Sequence, residues 1–143
     1  MILFCDTSAL LKLYVAETDS GLVRSAVDDA KAVMACRIAW AEAFAALARR
    51  AREVPKDQDA IESAKAALSS DWPHYIVLEV TQSLVQRAGE YADTFALRGY
   101  DSVQLAAAAE AAEITGAEIG FACFDIRLNR AARVLGLRPV FDP

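Results

Sequence analysis

The residues best suited to shared chemistry in this chain are four widely spaced acids. They are Asp6, Glu42, Asp101 and Asp125. Asp6 directly follows the apolar run 2–5, and Asp125 directly follows the apolar run 121–124. Because open α/β sheets bind ligands beyond the carboxyl ends of their strands, two separate strands would deliver carboxylates to one edge. Converging carboxylates stay ionised only with a cation among them, and their hard oxygen atoms select Mg²⁺ or Mn²⁺.

Each acid also has a purely structural interpretation at the start of a helix. Aspartate is a preferred N-cap residue, and its charge is favourable at the positive end of the helix dipole. Glu42 falls near the first turn of its helix, opposite the apolar side chains of Trp40, Phe44 and Leu47. Taken one at a time, the acids are better explained as helix caps than as metal ligands. Their joint placement favours a metal site.

The elements that must position these acids follow an alternating pattern. Short apolar runs alternate with segments of helical periodicity, which indicates an α/β domain with a mostly parallel sheet. One domain is expected over residues 1–143, with no linker and no repeat. Strands are predicted at about 2–6, 32–35, 75–78, 120–124 and 139–141. Helices are predicted at about 7–16, 20–29, 38–53, 57–69, 81–97, 101–115 and 125–135, with Asp101 or Ser102 beginning the sixth.

Composition fits one domain of ordinary size with a substantial core, since 55% of the 143 residues are hydrophobic and 24% are charged. No segment approaches the ~20 uncharged apolar residues that cross a bilayer, and the N-terminus lacks a signal-peptide pattern. Cys5, Cys36 and Cys123 lie in or beside apolar runs without a C-x-x-C motif, which predicts buried free thiols in a reducing compartment. A cytoplasmic location without membrane contact is therefore expected.

The net charge of -5 argues against broad, charge-driven binding of nucleic acid. Any such contact must be local, through the few cations nearest the acidic motifs. These candidates are Lys12, Arg98, Arg127 and Arg130. Each also fits a solvated charge on a helix face.

Four segments around the acids form a specific set because they occur together and in order. They are Asp6-Thr7-Ser8-Ala9-Leu10-Leu11-Lys12-Leu13-Tyr14, Ala41-Glu42-Ala43, Tyr100-Asp101-Ser102-Val103-Gln104-Leu105-Ala106 and Phe124-Asp125-Ile126-Arg127-Leu128-Asn129. With them the chain resembles the PIN-domain ribonucleases over nearly its whole length, and most closely the VapC-type toxins of bacterial type II toxin-antitoxin systems. One departure is Cys123, because similar proteins usually carry Thr or Ser two residues before the fourth acid.

The resemblance implies a three-layer α/β/α fold and a divalent-metal site built from the four acids, holding Mg²⁺ or Mn²⁺. Thr7 or Ser8 would orient the first carboxylate or hold a metal-bound water, and Ser102 would act likewise; all three also fit helix capping. The implied function is an endoribonuclease toxin that hydrolyses RNA phosphodiester bonds and is inhibited by a cognate antitoxin. A homodimer is also implied. The number of ions and the identity of the general base stay open.

Other chemistries find less support in the residues. Metal-free RNA cleavage usually needs two histidines, and His74 is the only one. Neither a G-x-S-x-G elbow nor a phosphate-binding glycine loop is present. The remaining alternatives are a PIN nuclease of RNA processing without an antitoxin, a phosphoacceptor domain that uses the aspartate after the first strand, and a non-catalytic binding domain whose acids only cap helices.

Overall fold

A sheet of five parallel strands forms the centre of the protein, in a computed structural model that describes residues 1–141. The spatial order of the strands is β3-β2-β1-β4-β5, and every neighbouring pair is parallel. Their bounds are Ile2–Cys5 for β1, Ala32–Cys36 for β2, Ile76–Leu78 for β3, Ile119–Ala122 for β4 and Arg138–Pro139 for β5. The predicted sheet is therefore confirmed, and it is parallel throughout.

Seven α-helices occur in the described residues and lie on the two faces of the sheet. Their bounds are Thr7–Leu11 for α1, Ser20–Asp29 for α2, Ala39–Glu53 for α3, Gln58–Asp71 for α4, Gln82–Phe95 for α5, Gly99–Thr115 for α6 and Ile126–Val134 for α7. Short 3₁₀ turns at Pro55–Asp57 and Trp72–His74 flank α4. None of the helices within residues 1–141 has both the length and the apolarity needed to span a bilayer.

Each face of the sheet carries an apolar core, because side chains alternate along the central strands. Phe4 of β1 stacks on Phe121 of β4, with ring centroids 6.0 Å apart, in a core completed by α5, α6 and α7. Leu3 and Cys5 point to the opposite core, which α1, α3 and α4 complete. This confirms the α/β/α layering. Both faces of β1 and β4 are covered, which explains their unbroken apolar sequences.

Helix α1 is shorter than predicted, ending at Leu11 and not near residue 16. The amides of Lys12, Leu13 and Tyr14 each bond to the carbonyl three residues earlier, so the chain tightens into successive turns. The Tyr14 hydroxyl donates to Asp71 at the end of α4, 2.9 Å away. The spacing of apolar residues predicted a helix through this segment, and it carried no sign of the contact with distant Asp71.

Helix α6 begins earlier than predicted, at Gly99, with Arg98 as its N-cap residue. Asp101 consequently lies in the first turn and does not cap the helix. The amide of Ser102 bonds to the Arg98 carbonyl at 3.0 Å, which closes the first turn ahead of the predicted start. The last strand also shifts, because β5 covers Arg138–Pro139 and the amide of Val140 then bonds to the Phe121 carbonyl.

Candidate active site

The carboxyl ends of β1 and β4 lie side by side at the centre of the sheet and carry two of the four acids. The amide of Asp6 donates to the carbonyl of Ala122 at 3.1 Å, so the two strands stay paired up to the point where Asp6 leaves β1. Asp125 follows β4 after a short extended segment and caps α7. Parallel pairing therefore brings both strand ends to one edge, as the sequence predicts.

Asp6 is buried, with 6% of its surface exposed, and it caps α1. Its Oδ1 accepts hydrogen bonds from the Ala9 amide at 2.9 Å and from the Ser8 hydroxyl at 2.7 Å. Burial raises the pKa of Asp6 above its ordinary value, and the nearby Asp101 carboxylate adds to the rise, although the hydrogen bonds act against it. Ser8 thus orients the first carboxylate, which is one of the roles expected for it.

Cys123 takes the place where similar proteins have a hydroxyl, and its thiol donates to the Asp125 carbonyl at 4.0 Å. Its Sγ also accepts from the Asp125 amide, 3.3 Å away. Burial and the adjacent Asp6 raise the pKa of this thiol. Asn129 fixes the same segment, since its Nδ2 donates to the Cys123 carbonyl at 3.0 Å. A neutral thiol therefore braces the segment between β4 and α7 that carries Asp125.

Glu42 is tied into the site from α3 by two donors. Its Oε1 accepts from the Thr7 hydroxyl and from Nε2 of Gln104, each at 2.8 Å. Nε2 of Gln104 also lies 3.0 Å from Oγ1 of Thr7. We call these three side chains the Glu42 network; it joins α1, α3 and α6. Glu42 lies in the first turn of α3, as the sequence indicates, but it is half-buried.

The Glu42 network changes the role expected for Thr7 and adds a residue that the sequence did not single out. The Thr7 hydroxyl bonds to Glu42 and not to the first carboxylate. Gln104 is only 3% exposed on a helix that is otherwise rich in alanine. Its spacing of three residues from Asp101 places both on one side of α6, a signal that was present in the sequence.

Asp101 pairs with a neighbouring cation in the first turn of α6. Its Oδ2 accepts from Nε of Arg98 at 3.2 Å. The Ser102 hydroxyl donates to the carbonyls of Arg98 and Gly99, at 3.1 and 2.7 Å. Ser102 therefore bonds back to carbonyls of the preceding turn; neither the expected contact with a carboxylate nor a capping bond to a backbone amide occurs in the described hydrogen bonds.

Two cavities meet at Arg98 and Asp101. The larger, about 710 Å³, lies along α5 and α6 and has Glu42 on its wall; we call it the α5–α6 cavity. The smaller, about 560 Å³, extends to the start of α7 and has Asp125 and Arg127 on its wall. Asp101 thus lies on the wall of both cavities, one shared with the second acid and the other with the fourth.

The four basic candidates differ in how they are held. Lys12 donates to the Thr18 carbonyl at 2.8 Å, lies 3.4 Å from Glu17 and sits over the Phe124 ring, with its side chain only 15% exposed. Arg127 donates to the Ala96 carbonyl from the rim of the smaller cavity. Arg98 borders both cavities, and Arg130 is exposed on α7. Arg98 and Arg127 are therefore better placed than Lys12 to contact a ligand.

A metal ion would find oxygen donors here but no finished ligand cluster. Within residues 1–141, no group of three or more carboxylate, imidazole or thiol ligands is arranged to hold a metal ion. The carboxylates are instead engaged by protein donors, each through one oxygen. In the described hydrogen bonds, the second oxygen of Glu42, Asp101 and Asp125 has no protein donor. The donor set fits a hard divalent cation, and one shared metal site stays a prediction.

Comparison with known proteins identifies the family. The PIN domain family model matches residues 3–134. The chain belongs to the PIN domain family. Ribonuclease VapC45 and Ribonuclease VapC49, from two strains of Mycobacterium tuberculosis, are each 34% identical to it over 141 residues, covering 96% of this chain and 93% of the relative. The resemblance found in the sequence is confirmed.

Solved structures of other proteins share the fold of this chain. VapC20 from Mycobacterium tuberculosis, described as a Sarcin-Ricin loop cleaving toxin, has a TM-score of 0.67 at 21% identity and covers 90% of this chain and 94% of its own. A toxin-antitoxin complex from Klebsiella pneumoniae has a TM-score of 0.61 at 14% identity, covering both chains fully (100%). FitAcB from Neisseria gonorrhoeae has a TM-score of 0.57 at 16% identity, covering 96% and 95%. At these identities the likeness establishes the fold.

The raised pKa of Asp6 predicts a stability cost near neutral pH. When the folded-state pKa of an acid lies above its unfolded value, the folded protein holds the proton longer, so stability falls as pH rises through this interval. Asp6→Asn removes this cost and keeps an N-cap acceptor for Ala9. In metal-free buffer we expect the free energy of unfolding, measured by urea denaturation, to be higher for Asp6→Asn at pH 7, with the gain shrinking below pH ~4.

Asp59→Asn is the matched control, because Asp59 is an exposed acid in the first turn of α4. It should leave stability within ~0.5 kcal/mol of the wild type at each pH. Destabilisation by Asp6→Asn at pH 7 would contradict a burial cost at Asp6.

The Glu42 network predicts that Gln104 stabilises the junction of α1, α3 and α6. Gln104→Met keeps the length of the side chain but removes both hydrogen bonds donated by Nε2. We expect the free energy of unfolding to fall by ~1 kcal/mol because the two hydrogen bonds are lost. The loss stays this small because the substitution also removes the buried Oε1 of Gln104, which has no partner among the described residues. Gln86→Met, at an exposed position of α5, is the control. Equal stability of the two variants would show that the network contributes nothing.

Proposed function

We propose that the protein is a Mg²⁺- or Mn²⁺-dependent endoribonuclease, the toxin of a toxin–antitoxin pair, with residues 1–143 acting as one PIN domain. The observation that carries this proposal is the position of Asp101, which lies on the wall of both the cavity bordered by Glu42 and the cavity bordered by Asp125. The names of the curated relatives, which are ribonucleases, support the reaction class.

Asp6, Asp101, Asp125 and Glu42 would hold the cation, with Asp6 and Asp101 as the central pair. A bound divalent ion supplies a water of lowered pKa and neutralises charge on the phosphoryl group. The protein contributes by holding the carboxylates in fixed orientations. Ser8 and the Ala9 amide fix one oxygen of Asp6, and Thr7 with Gln104 fixes one oxygen of Glu42. Orientation by such hydrogen bonds preserves ligand geometry.

RNA would be held by cations local to the site, because the chain as a whole is acidic. Arg98 is the leading candidate, since its side chain is 86% exposed where the two cavities meet. Arg127 borders the cavity that contains Asp125. Their guanidinium groups suit phosphate oxygens. Phosphate contacts of this kind position a backbone and carry no base specificity.

The reaction and its metal are tested together on total RNA. We expect the purified protein to cut RNA internally with Mg²⁺ and not in chelator, and mapped cut ends to carry a 5′-phosphate and a 3′-hydroxyl. Asp6→Asn and Asp101→Asn should each lower the rate by more than ~100-fold, since even residues that only hydrogen-bond to metal ligands contribute ~10–100-fold. Titration calorimetry should detect Mg²⁺ or Mn²⁺ binding to the wild type and its loss in both variants.

Asp59→Asn is the control, because it removes a carboxylate from α4, away from both cavities, and should leave cleavage and metal binding unchanged. Wild-type cleavage rates in both site variants would refute the proposal.

The antitoxin is tested in a bacterial host. Expression of the chain should arrest growth, and both Asp6→Asn and co-expression of a small protein encoded next to it should relieve the arrest. The small protein should co-purify with the toxin and block RNA cleavage in vitro. The proposed homodimer can be measured on the same material by sedimentation. RNA cleavage without growth arrest and without an inhibitory neighbour would favour the RNA-processing alternative.

A further inference from the structure

The α5–α6 cavity is lined mainly by small or apolar side chains, unlike the acidic edge that it adjoins. On α5 these residues are Val85, Ala88, Gly89 and Ala92, and Val103 faces them from α6. The volume of about 710 Å³ lies within the ~300–1,000 Å³ that is usual for pockets that bind small ligands. At its other end are Glu42 and Asp101. An apolar space therefore opens directly beside the carboxylates.

Tyr100 lies on the wall of this cavity and is 70% exposed. It immediately precedes Asp101 in the first turn of α6 and follows the exposed Arg98 by two residues. An exposed aromatic ring beside a cation is the combination by which proteins hold single-stranded nucleic acid, with bases stacked on the ring and phosphates near the charge. The proposed metal site has no use for the Tyr100 ring, so its exposure needs another explanation.

We propose that the α5–α6 cavity binds one nucleobase of single-stranded RNA, beside Arg98 and Asp101, with Tyr100 as its stacking surface. This inference rests on the proposed function for its choice of ligand. A base is favoured over another protein segment because the cavity is continuous with the acidic edge and shares Arg98 and Asp101 with the neighbouring cavity. Stacking is tolerant of sequence, so all four bases should bind.

Simple probes separate the base from the sugar phosphate. The four nucleoside 5′-monophosphates and ribose 5-phosphate can be titrated into the protein with Mg²⁺ and followed by NMR. We expect the nucleotides to shift the signals of Val85, Ala88, Ala92 and Tyr100, and to bind about tenfold more tightly than ribose 5-phosphate. Equal binding of ribose 5-phosphate, or nucleotide shifts confined to other regions, would overturn the proposal.

Gly89 allows the cavity to be filled without damage to the fold. A Cβ at this position meets no other group within 4 Å, and leucine favours a helix more than glycine does. Gly89→Leu should weaken nucleotide binding about tenfold and leave ribose 5-phosphate binding unchanged. Gly21→Leu is the matched control, since Gly21 also has open space at its Cβ and lies on α2 outside the cavity. Unchanged nucleotide binding in Gly89→Leu would contradict the assignment.

Tyr100→Ala should likewise weaken nucleotide binding about tenfold, and Tyr100→Phe should restore it, because phenylalanine keeps the stacking face. If Tyr100→Phe is as weak as Tyr100→Ala, stacking is not the cause. If Gly89→Leu instead converts a dimer to a monomer in sedimentation and leaves nucleotide affinity unchanged, the cavity is a contact between copies and the proposal fails.

Cleavage assays on the same variants separate this inference from the proposed function. RNA cleavage at the wild-type rate in Gly89→Leu would refute the base site alone. Nucleotide binding at the cavity in a protein that cuts no RNA would refute the nuclease and retain the base site.

Discussion

The parallel pairing of β1 with β4 is the constraint on which the candidate site depends. It aligns two strands from opposite ends of the chain up to Asp6, whose amide still bonds to β4. Beyond that point the chain must turn away, and the amides at the starts of α1 and α7 need acceptors. Asp6 and Asp125 supply them. The backbone requirement for an acceptor at each helix start is here met by aspartate, which also fixes where the charge of each carboxylate lies.

Capping and a role in catalysis draw on different parts of one carboxylate. In Asp6, Oδ1 serves the helix and Ser8, while burial and the charge of Asp101 disfavour the ionised form. The Glu42 network repeats this arrangement, with donors gathered on Oε1 of Glu42. The buried Asp6 is thus held at a cost to folding, which a cation would offset by neutralising its charge. Retention of such groups in a small domain is typical of functional sites.

Features governed by local patterns were predictable from sequence. The order of strands and helices follows from apolar periodicity, and the acids at Asp6 and Asp125 follow apolar runs, so their place at strand ends could be read directly. Features set by distant contacts could not be. Helix α1 ends early, in the region where Tyr14 contacts Asp71 of α4. The Thr7 hydroxyl bonds to Glu42 because α3 and Gln104 pack beside it. Ser102 illustrates a third limit on prediction from sequence. A serine hydroxyl can donate either to a carbonyl of its own helix turn or to a nearby carboxylate, and in Ser102 it donates to the carbonyls.

The edges of the sheet constrain how another protein can bind. Strand β3 has three residues, and β5 has two, one of which is Pro139, which has no amide hydrogen. Such short edges present few unpaired backbone groups, a feature that protects sheets against uncontrolled pairing. A binding partner therefore has little opportunity to extend the sheet with a strand of its own. Recognition of this protein must rely on its side chains, and so on the helices that carry them.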